Sequence, residues 1–349
     1  MMFRFNSHPF SRIMVVAIAT TSLIISSCAP AEVNENTEQT ENTEQVDGSA
    51  VTTEGSQSLI YVSNYPLQYF SERIGGDQVK VELPVPGDIA QAFWEPSADE
   101  LAQLQTAELI VLNGATYEKW LQTASLPQAK TLDTANLFQD RWLSIKEVVT
   151  HQHGPEGEHS HEGTAFTTWV DPTLAIEQAA VIRDRMTTQF PDQADLFATN
   201  YKALEQDLTT IDEQLATLVV DSADQKQPLL ASHPVYDYLA ARYGLNLRSV
   251  LWEPETFPDE DQWAELESML AEHPAEWMIW EGDPLPESVE RLRQLGIESV
   301  VFAPAGNVPE EGDFLTDCFP QVRPDSAIAI DRYFKIISFP GFDAEVHRG

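Results

Sequence analysis

A regular run of apolar side chains between residues 191 and 220 does most to limit how this chain can fold. Large apolar residues recur there at intervals of 4, 3, 4, 3, 4 and 3 positions: Phe197, Tyr201, Leu204, Leu208, Ile211, Leu215 and Leu218. This spacing puts them on one face of an α-helix, which we predict to be about 28 residues and about 40 Å long. A helix of that length can run along two domains. The alternative is an exposed coiled-coil dimer, whose helices carry the same spacing.

Strands alternate with helices on both sides of this helix. Apolar stretches that predict buried strands lie at 59–63, 79–83 and 109–112 before it, and at 229–232, 248–252, 277–280 and 299–302 after it. Such alternation is typical of parallel sheets with helices on their faces. We therefore expect an α/β fold in which two open, mostly parallel, Rossmann-like sheet lobes are joined by one long rigid helix.

The predicted folded domains are an N-terminal lobe at 58–190, the linking helix at 191–220 and a C-terminal lobe at 221–349. Short patterns recur in the same order in both lobes. Asn64-Tyr65-Pro66 corresponds to Ser232-His233-Pro234 after the first strand, and Trp94-Glu95-Pro96 corresponds to Trp252-Glu253-Pro254 after the second. Two lobes of similar construction are the simplest explanation.

The N-terminal segment predicts export from the cytoplasm. Residues 1–27 have a basic start and an apolar run too short to span a bilayer comfortably, as in a secretory signal peptide. Ile25-Ser26-Ser27-Cys28 resembles the lipobox of bacterial lipoproteins, which implies that Cys28 becomes acylated and anchors the protein outside the cytoplasm. A signal peptide cut elsewhere would leave Cys28 as an ordinary thiol. Residues 28–57 are polar and acidic and are predicted to be a disordered tether. We expect Cys318, the remaining cysteine, to be buried.

The charge of the chain excludes some partners. It carries 20 basic and 56 acidic side chains, a formal net charge of −36. Two of these bases lie in residues 1–27 and seven of the acids in 29–57, so 18 bases and 49 acids remain from Ser58 onward, a charge of −31. The part of the chain from Ser58 onward is acidic enough to be repelled by nucleic acid and by anionic lipid. It attracts cations in general, but its charge does not indicate where a cation would bind.

Four of the eight histidines lie in one short loop at 151–163. They form two His-x-His pairs, with three glutamates between and after them: His151, His153, His159, His161, Glu156, Glu158 and Glu162. Imidazole is a preferred ligand of zinc and its neighbours in the transition series, and the carboxylates favour a divalent cation. The loop therefore predicts metal capture. A solvated low-complexity loop that binds metals weakly is the alternative.

Three further candidate ligands follow strands of the C-terminal lobe, namely His233, Glu253 and Glu281. Ligands bind beyond the carboxyl ends of strands in open parallel sheets, so these side chains should converge. Asp283 competes with Glu281 as a ligand because both lie in a turn sequence. A helix-capping role for His233 and a helix N-terminal role for Glu253 are the structural alternatives. We expect His273, before Pro274, to be structural.

These features together resemble the zinc/manganese (ZnuA-like) solute-binding lipoproteins of ABC transporters, over about residues 58 to 305. The resemblance rests on the lipobox, the acidic tether, the strand-Tyr65-Pro66-helix-Gly75-Gly76 opening, the long helix and the histidine loop. It implies a non-enzymatic extracytoplasmic receptor that holds a metal ion between its lobes and delivers it to a membrane permease.

The resemblance carries over only part of the family's ligand set. His233 matches a family histidine and Glu281 the family carboxylate, whereas two other histidine positions are occupied by Ala92 and Thr167. We therefore expect substitutes from the loop. The expected Zn(II) ligands are His159, His161, His233 and Glu281, with auxiliary contributions from His151, His153, Glu253 and Asp283. Replacement of imidazoles by carboxylates favours Mn(II).

Other functions remain open at this stage. Aromatic residues near the expected cleft, Phe93, Trp94 and Trp252, favour a receptor for a metal chelate or a small organic solute. A surface lipoprotein that buffers metal, or an adhesin, would have the same sequence features without a permease. Paired carboxylates and a histidine also suit an enzyme, but the sequence has no nucleophile elbow, His-Glu-x-x-His motif or phosphate loop.

Overall fold

The computed structural model describes residues 57–86, 91–145, 150–152, 158–160, 163–221, 227–309 and 312–319, with the backbone alone for the two three-residue segments. All of these residues belong to Gly55–Gly349, one of the two units into which the chain divides. The predicted signal peptide, Cys28 and almost all of the predicted tether lie outside the described residues. No helix of the described residues is long and apolar enough to cross a membrane.

The first lobe is built on a parallel sheet with the strand order β2-β1-β3-β4. Its elements are β1 (Ser58–Val62), α1 (Tyr65–Gly75), β2 (Val79–Glu82), α2 (Ala98–Leu104), β3 (Leu109–Leu112) and β4 (Thr131–Asp133). Helix α1 begins where the Asn64 side chain accepts a hydrogen bond from the backbone N–H of Leu67, and it ends at Gly76, whose φ is +53°. The three predicted strands are confirmed to within one residue at each end, and β4 is additional.

Two small antiparallel ladders follow the first sheet. Strand β5 (Ser144–Ile145) pairs with β8 (Gly163–Thr164), and β6 (Thr150–Gln152) pairs with β7 (Glu158–Ser160). The histidine loop is thus closed at its base by β5 and β8 and contains a short hairpin. In that hairpin the backbone of His151 lies directly opposite that of His159.

Two long helices come next, α3 (Pro172–Gln189) and α4 (Ala194–Asp221). Helix α4 has 28 residues, as the apolar spacing predicts. Six of its seven stripe residues are buried in the core that also contains residues of α1 and α3, and the side chain of the seventh, Leu218, lies outside the described ones. The coiled-coil alternative is wrong, because the apolar stripe is covered by the chain's own helices.

The second lobe repeats the first sheet with the strand order β10-β9-β11-β12, again parallel. Its elements are β9 (Pro228–Ala231), α5 (Asp237–Tyr243), β10 (Asn246–Ser249), α6 (Glu260–Glu272), β11 (Trp277–Trp280), α7 (Pro286–Gln294), β12 (Glu298–Val301) and α8 (Phe314–Cys318). Strand β10 begins two residues earlier and ends three residues earlier than predicted. The predicted α/β class with two parallel lobes is confirmed.

The carboxyl edges of the two sheets face each other. The backbone N–H of Tyr65, after β1, donates to the carbonyl of Gly306, after β12, over 3.2 Å. Trp169 Nε1 donates to the carbonyl of Pro304 over 2.6 Å. One hydrophobic cluster contains buried residues of both lobes, including Ile60 and Ala231. Side chains that follow the strands of either sheet therefore lie along the boundary between the lobes.

Candidate metal centre

His233, Glu253 and Glu281 converge at the carboxyl edge of the second sheet. One nitrogen or oxygen atom from each side chain lies within 4.8 Å of the others. Within the described ranges, this is the one group of three or more His, Cys, Asp or Glu side chains that is close enough to hold a metal ion. The convergence that the sequence predicts for these three residues is thus present in the fold.

Ser232 holds the three segments of this site together. Its backbone N–H donates to the carbonyl of Ile279, and its carbonyl accepts from the N–H of Trp252 over 2.9 Å. Its hydroxyl accepts from the N–H of Glu281 over 3.2 Å. Because these bonds tie the chain just before His233, Glu253 and Glu281, the positions of all three are set by the backbone of the central strands.

Glu253 does not directly follow a strand, contrary to the sequence prediction. Strand β10 ends at Ser249, four residues earlier. The pairing with β9 nevertheless continues irregularly, because the N–H of Val250 donates to Ala231 and that of Trp252 donates to Ser232. These two bonds carry the chain along the sheet edge and bring Glu253 to His233.

The two carboxylates approach opposite sides of the His233 ring. Nε2 of His233 lies 3.3 Å from Oε1 of Glu253, and Nδ1 lies 2.9 Å from Oε1 of Glu281. Nδ1 is also 3.2 Å from the backbone carbonyl of Trp252. A metal ion binds one ring nitrogen, and the other nitrogen then commonly donates its hydrogen to a carboxylate or carbonyl. Nδ1 has two such acceptors, so Nε2 is the nitrogen available to an ion.

The imidazole is 3% exposed, and its environment acts on its pKa in two opposed ways. Burial alone lowers the pKa of His233, but hydrogen bonds and charge attraction from Glu253 and Glu281 outweigh burial and raise it to about 10. In the metal-free protein the ring is therefore protonated at neutral pH. An ion that binds Nε2 must displace that proton, since only the deprotonated nitrogen is a ligand.

Several expectations about single residues are decided by the structure. Glu281 contacts His233, whereas Asp283 is exposed and lies outside the group. The helix-terminal alternative for Glu253 is wrong, because α6 begins at Glu260 after the N-cap Asp259. The capping alternative for His233 is also wrong, since the N-cap of α5 is Tyr236.

The structural role expected of His273 and the burial expected of Cys318 are both confirmed. His273 is 6% exposed, and its Nε2 lies 2.9 Å from the carbonyl of Leu229, so it is structural. Cys318 is a buried free thiol.

The base of the histidine loop is joined to α5, the helix that follows His233. The N–H of Ala165 donates to the carbonyl of Leu143 at the loop base, and the Tyr238 hydroxyl, on α5, contacts both residues. The side chains of His151 and His159 are not among those described, and His153 and His161 lie outside the described residues. The expectation that His159 and His161 complete the site therefore stays a prediction.

The first lobe offers a neutral counterpart to His233 and Glu281, which the sequence patterns did not reveal. The backbone N–H of Ser63 donates to the carbonyl of Val111, and the Ser63 hydroxyl accepts from the N–H of Asn113. Ser232 makes the same two hydrogen bonds with Ile279 and Glu281. Asn64 and Asn113 thus occupy the positions of His233 and Glu281, and Nδ2 of Asn64 donates to Oδ1 of Asn113 over 3.3 Å. The recurring pattern of Asn64-Tyr65-Pro66 could have located Asn64, but no motif pointed to Asn113.

Ala92 and Thr167, the two positions where the resemblance implies a histidine, provide no metal ligand on the first lobe. Ala92 is buried and apolar. Thr167 is 5% exposed, and its hydroxyl donates over 2.7 Å to the carbonyl of Val235, two residues after His233. At the position where the resemblance implies an imidazole, a threonine instead joins the two lobes.

Known proteins share both the sequence pattern and the fold. The model of the ZnuA family, described as zinc-uptake complex component A, periplasmic, matches residues 60–318. The zinc-binding lipoprotein AdcA of Streptococcus pneumoniae strain R6 is 27% identical over 258 residues, which is 72% of this chain and 51% of AdcA. The high-affinity zinc uptake system protein ZnuA of Bacillus subtilis strain 168 is 26% identical over 230 residues, 63% of this chain and 69% of that protein. The chain spans about half the length of AdcA.

Solved structures agree on the architecture. The Zn(II)-bound ZnuA-like domain of Streptococcus pneumoniae AdcA matches with a TM-score of 0.65 at 20% identity, over 80% of this chain and 99% of that domain. The metal-dependent lipoprotein YcdH from Bacillus subtilis matches with a TM-score of 0.61 at 20% identity, over 73% of this chain and 90% of YcdH. At these identities the likeness establishes the fold. Because the family model matches residues 60–318, which is well over half of this chain, the chain is a member of the ZnuA family of solute-binding proteins.

Proposed function

We propose that this protein is an extracytoplasmic receptor that captures Zn(II) between its lobes and delivers it to an ABC permease. The observation that carries the proposal is the convergence of His233, Glu253 and Glu281 at the lobe boundary. The names of the relatives, a zinc-binding lipoprotein and a zinc uptake protein, support zinc as the ion. Acylation of Cys28 would anchor the receptor to a membrane. Mn(II) is the second ion that a site rich in carboxylates would accept.

Within this site we assign the ligand atoms as Nε2 of His233 and a carboxylate oxygen of Glu253. Their separation of 3.3 Å is close to the edge of a zinc tetrahedron, about 3.4 Å for bonds of about 2.1 Å. Glu281 accepts the Nδ1 hydrogen, which fixes the ring and makes Nε2 a stronger donor. Glu253 thereby takes the role that the sequence suggested for Glu281. His159 and His161 of the loop are the proposed source of further imidazoles.

Calorimetric titration of metal-free protein with Zn(II) tests this assignment. His233→Ala should abolish tight binding. Glu253→Gln removes a ligand and should weaken binding about 100-fold or more, whereas Glu281→Gln removes an orienting group and should weaken it about tenfold. Glu95→Gln is the matched control, because Glu95 occupies the same Trp-Glu-Pro pattern in the first lobe and is exposed. Unchanged affinity in His233→Ala refutes the site, and a larger loss in Glu281→Gln than in Glu253→Gln reverses the two roles.

Deletion of residues 151–162, which removes all four loop histidines and leaves β8 intact, tests the loop separately. If His159 and His161 supply ligands, the deletion should weaken zinc binding even though His233, Glu253 and Glu281 are intact. The pair β5–β8 remains in the deleted protein and keeps the base of the loop closed. Zinc affinity equal to that of the full chain would remove the loop from the primary site.

A further inference from the structure

One short segment carries the chain from the second lobe towards the first. Residues 302–306, which we call the strap, directly follow β12 and lead to α8. At the start of the strap, the carbonyl of Phe302 accepts a hydrogen bond from the Tyr236 hydroxyl of the second lobe over 2.6 Å. Beyond the strap, the Phe314 ring of α8 lies edge-on to Phe70 of α1, with 5.2 Å between the ring centroids. The strap is therefore tied to the second lobe at one end and leads into the packing of the first lobe at the other.

Ala305, inside the strap, has a left-handed backbone with a φ of +51° and is 3% exposed. Residues other than glycine avoid this conformation because Cβ crowds the backbone carbonyl, and they keep it where surrounding contacts enforce it. On one side of Ala305, the carbonyl of Pro304 accepts from Nε1 of Trp169 over 2.6 Å. On the other side, the carbonyl of Gly306 accepts from the N–H of Tyr65 over 3.2 Å. Both donors belong to the first lobe, so contact between the lobes holds Ala305 in its strained conformation.

The strain is confined to this one connection between the lobes. Among the residues that the structure describes, Ala115 and Thr116 are the other non-glycine residues with positive φ, and both lie in the loop after β3, within the first lobe. The lobes also meet away from the strap, where the N–H of Leu143 donates to the Tyr238 hydroxyl over 3.2 Å. Joining the lobes thus has a cost at Ala305 that is not incurred at Leu143 and Tyr238.

We propose that the strap is strained while the lobes are joined and relaxes at Ala305 when they separate. In the joined state, the hydrogen bonds to Pro304 and Gly306 outweigh the strain. In the separated state these bonds are absent, and Ala305 returns to an ordinary backbone conformation. The strain therefore offsets part of the contacts between the lobes and brings the two states closer in free energy. Two states of similar free energy allow a bound cargo to shift the balance between them. Such a device goes beyond the proposed capture of zinc and does not depend on which ion binds.

Hydrogen exchange of the metal-free, full-length protein, followed by NMR, tests the strap. The indole N–H of Trp169 is bonded to the strap and the N–H of Leu143 to Tyr238, so each exchanges when its part of the lobe boundary opens. Ala305→Gly removes the strain, because glycine adopts a left-handed backbone readily, and should slow the exchange of both hydrogens about fivefold. Ala305→Val introduces a β-branched residue that tolerates a positive φ less well, and should speed both at least about fivefold.

Ala115→Gly is the matched control, because Ala115 is also buried and has a φ of +50° but lies within the first lobe. It should leave the exchange of both hydrogens within about twofold of the unaltered protein. Rates in Ala305→Gly that stay within about twofold, or that slow equally in the two glycine variants, overturn the proposal. A change at Trp169 without one at Leu143 also overturns it, because the strap would then move without the lobes.

The two glycine variants decide the question even if Ala305→Val does not fold. Neither hydrogen reports on zinc, so a failure of the strap proposal is distinct from a failure of the proposed metal site.

Discussion

The Tyr238 hydroxyl, in the second lobe, donates a hydrogen bond to the carbonyl of Ala165, in the first lobe, over 3.0 Å. The same hydroxyl accepts from the backbone N–H of Leu143 over 3.2 Å. Leu143 and Ala165 flank the paired strands that close the histidine loop. One hydroxyl group thus holds both ends of the loop base against the helix that follows His233.

Tyr238→Phe should lower the free energy of unfolding by roughly 1–3 kcal/mol, because the N–H of Leu143 and the carbonyl of Ala165 lose a partner at a partly buried position. Urea denaturation measures the change. Tyr61→Phe is the control: the Tyr61 hydroxyl accepts from Gln103 and also bonds the Glu82 carboxylate, but both partners remain accessible to water, so its loss should cost less than about 1 kcal/mol. Equal costs in the two variants would mean that the Tyr238 hydroxyl does not tie the lobes together.

Zinc binding should release about one proton per ion at neutral pH, because the two glutamates raise the pKa of His233 to about 10 in the metal-free protein. Below that pKa the proton competes with the ion, so affinity should fall about tenfold for each unit by which the pH is lowered. Titrations in buffers of different ionisation enthalpy count the released protons. Proton release should decrease in Glu253→Gln, which removes one of the two carboxylates. Affinity that does not vary between pH 6 and 8 would contradict the protonated state.

Glu118 should make stability depend on pH. Burial raises its pKa to about 7, although the Ser63 hydroxyl and the N–H groups of Asn113 and Gly114 all donate to its carboxylate and oppose the shift. A folded-state pKa above the ordinary value of 4.5 means that the native protein binds this proton more tightly than the unfolded chain does. Its contribution to stability is therefore complete below about pH 4.5 and is lost as the pH rises towards 7.

Over that pH range the free energy of unfolding should fall by about 3 kcal/mol. Glu118→Gln should not show this fall, because glutamine does not titrate. Urea denaturation of both proteins at pH 4.5 and pH 7.5 measures the difference. The stability of the variant relative to the unaltered protein should improve as the pH increases. If the difference in free energy of unfolding between the two proteins is the same at both pH values, the three donors keep the Glu118 carboxylate ionised over this pH range.

Gly114 should tolerate substitution much less well than Gly244, although both have left-handed backbones with φ of +78° and +68°. A Cβ at Gly114 would lie 1.9 Å from Oδ1 of Asp133, whereas nothing lies within 4 Å of a Cβ at Gly244. Gly114→Ala should cost roughly 2–4 kcal/mol, from steric overlap added to backbone strain, and Gly244→Ala roughly 1–2 kcal/mol. Thermal or urea unfolding compares the two. Similar losses would show that the Asp133 side chain moves aside at little cost.

The regular part of the fold could be predicted because it depends on local patterns. The apolar intervals from Phe197 to Leu215 required one buried helix, and continuous apolar runs such as Leu109–Leu112 marked the central strands. Strand β4 was not predicted because Thr131–Asp133 has only one apolar residue, so its pairing with β3 determines its structure. Likewise β10 ends early because irregular hydrogen bonds to Ala231 and Ser232 replace the regular ladder, which no local pattern reveals.

The sequence predicted that His233, Glu253 and Glu281 converge, but it did not predict how they are arranged. His233, Glu253 and Glu281 could be chosen because each follows a sheet strand or its irregular extension. Which carboxylate faces which ring nitrogen depends on the path of the chain from Ser249 to Glu253, and this path follows from hydrogen bonds across the sheet.

The location of His233, Glu253 and Glu281 on a single lobe has a consequence for how an ion would leave. When ligands are divided between two lobes, a hinge motion pulls the coordination sphere apart. Here the three side chains follow neighbouring strands of one sheet and would stay together as the lobes separate. Opening of the lobes would therefore remove only the imidazoles that His159 and His161 are proposed to supply, and departure of the ion from His233 and Glu253 would still require exchange with an incoming donor.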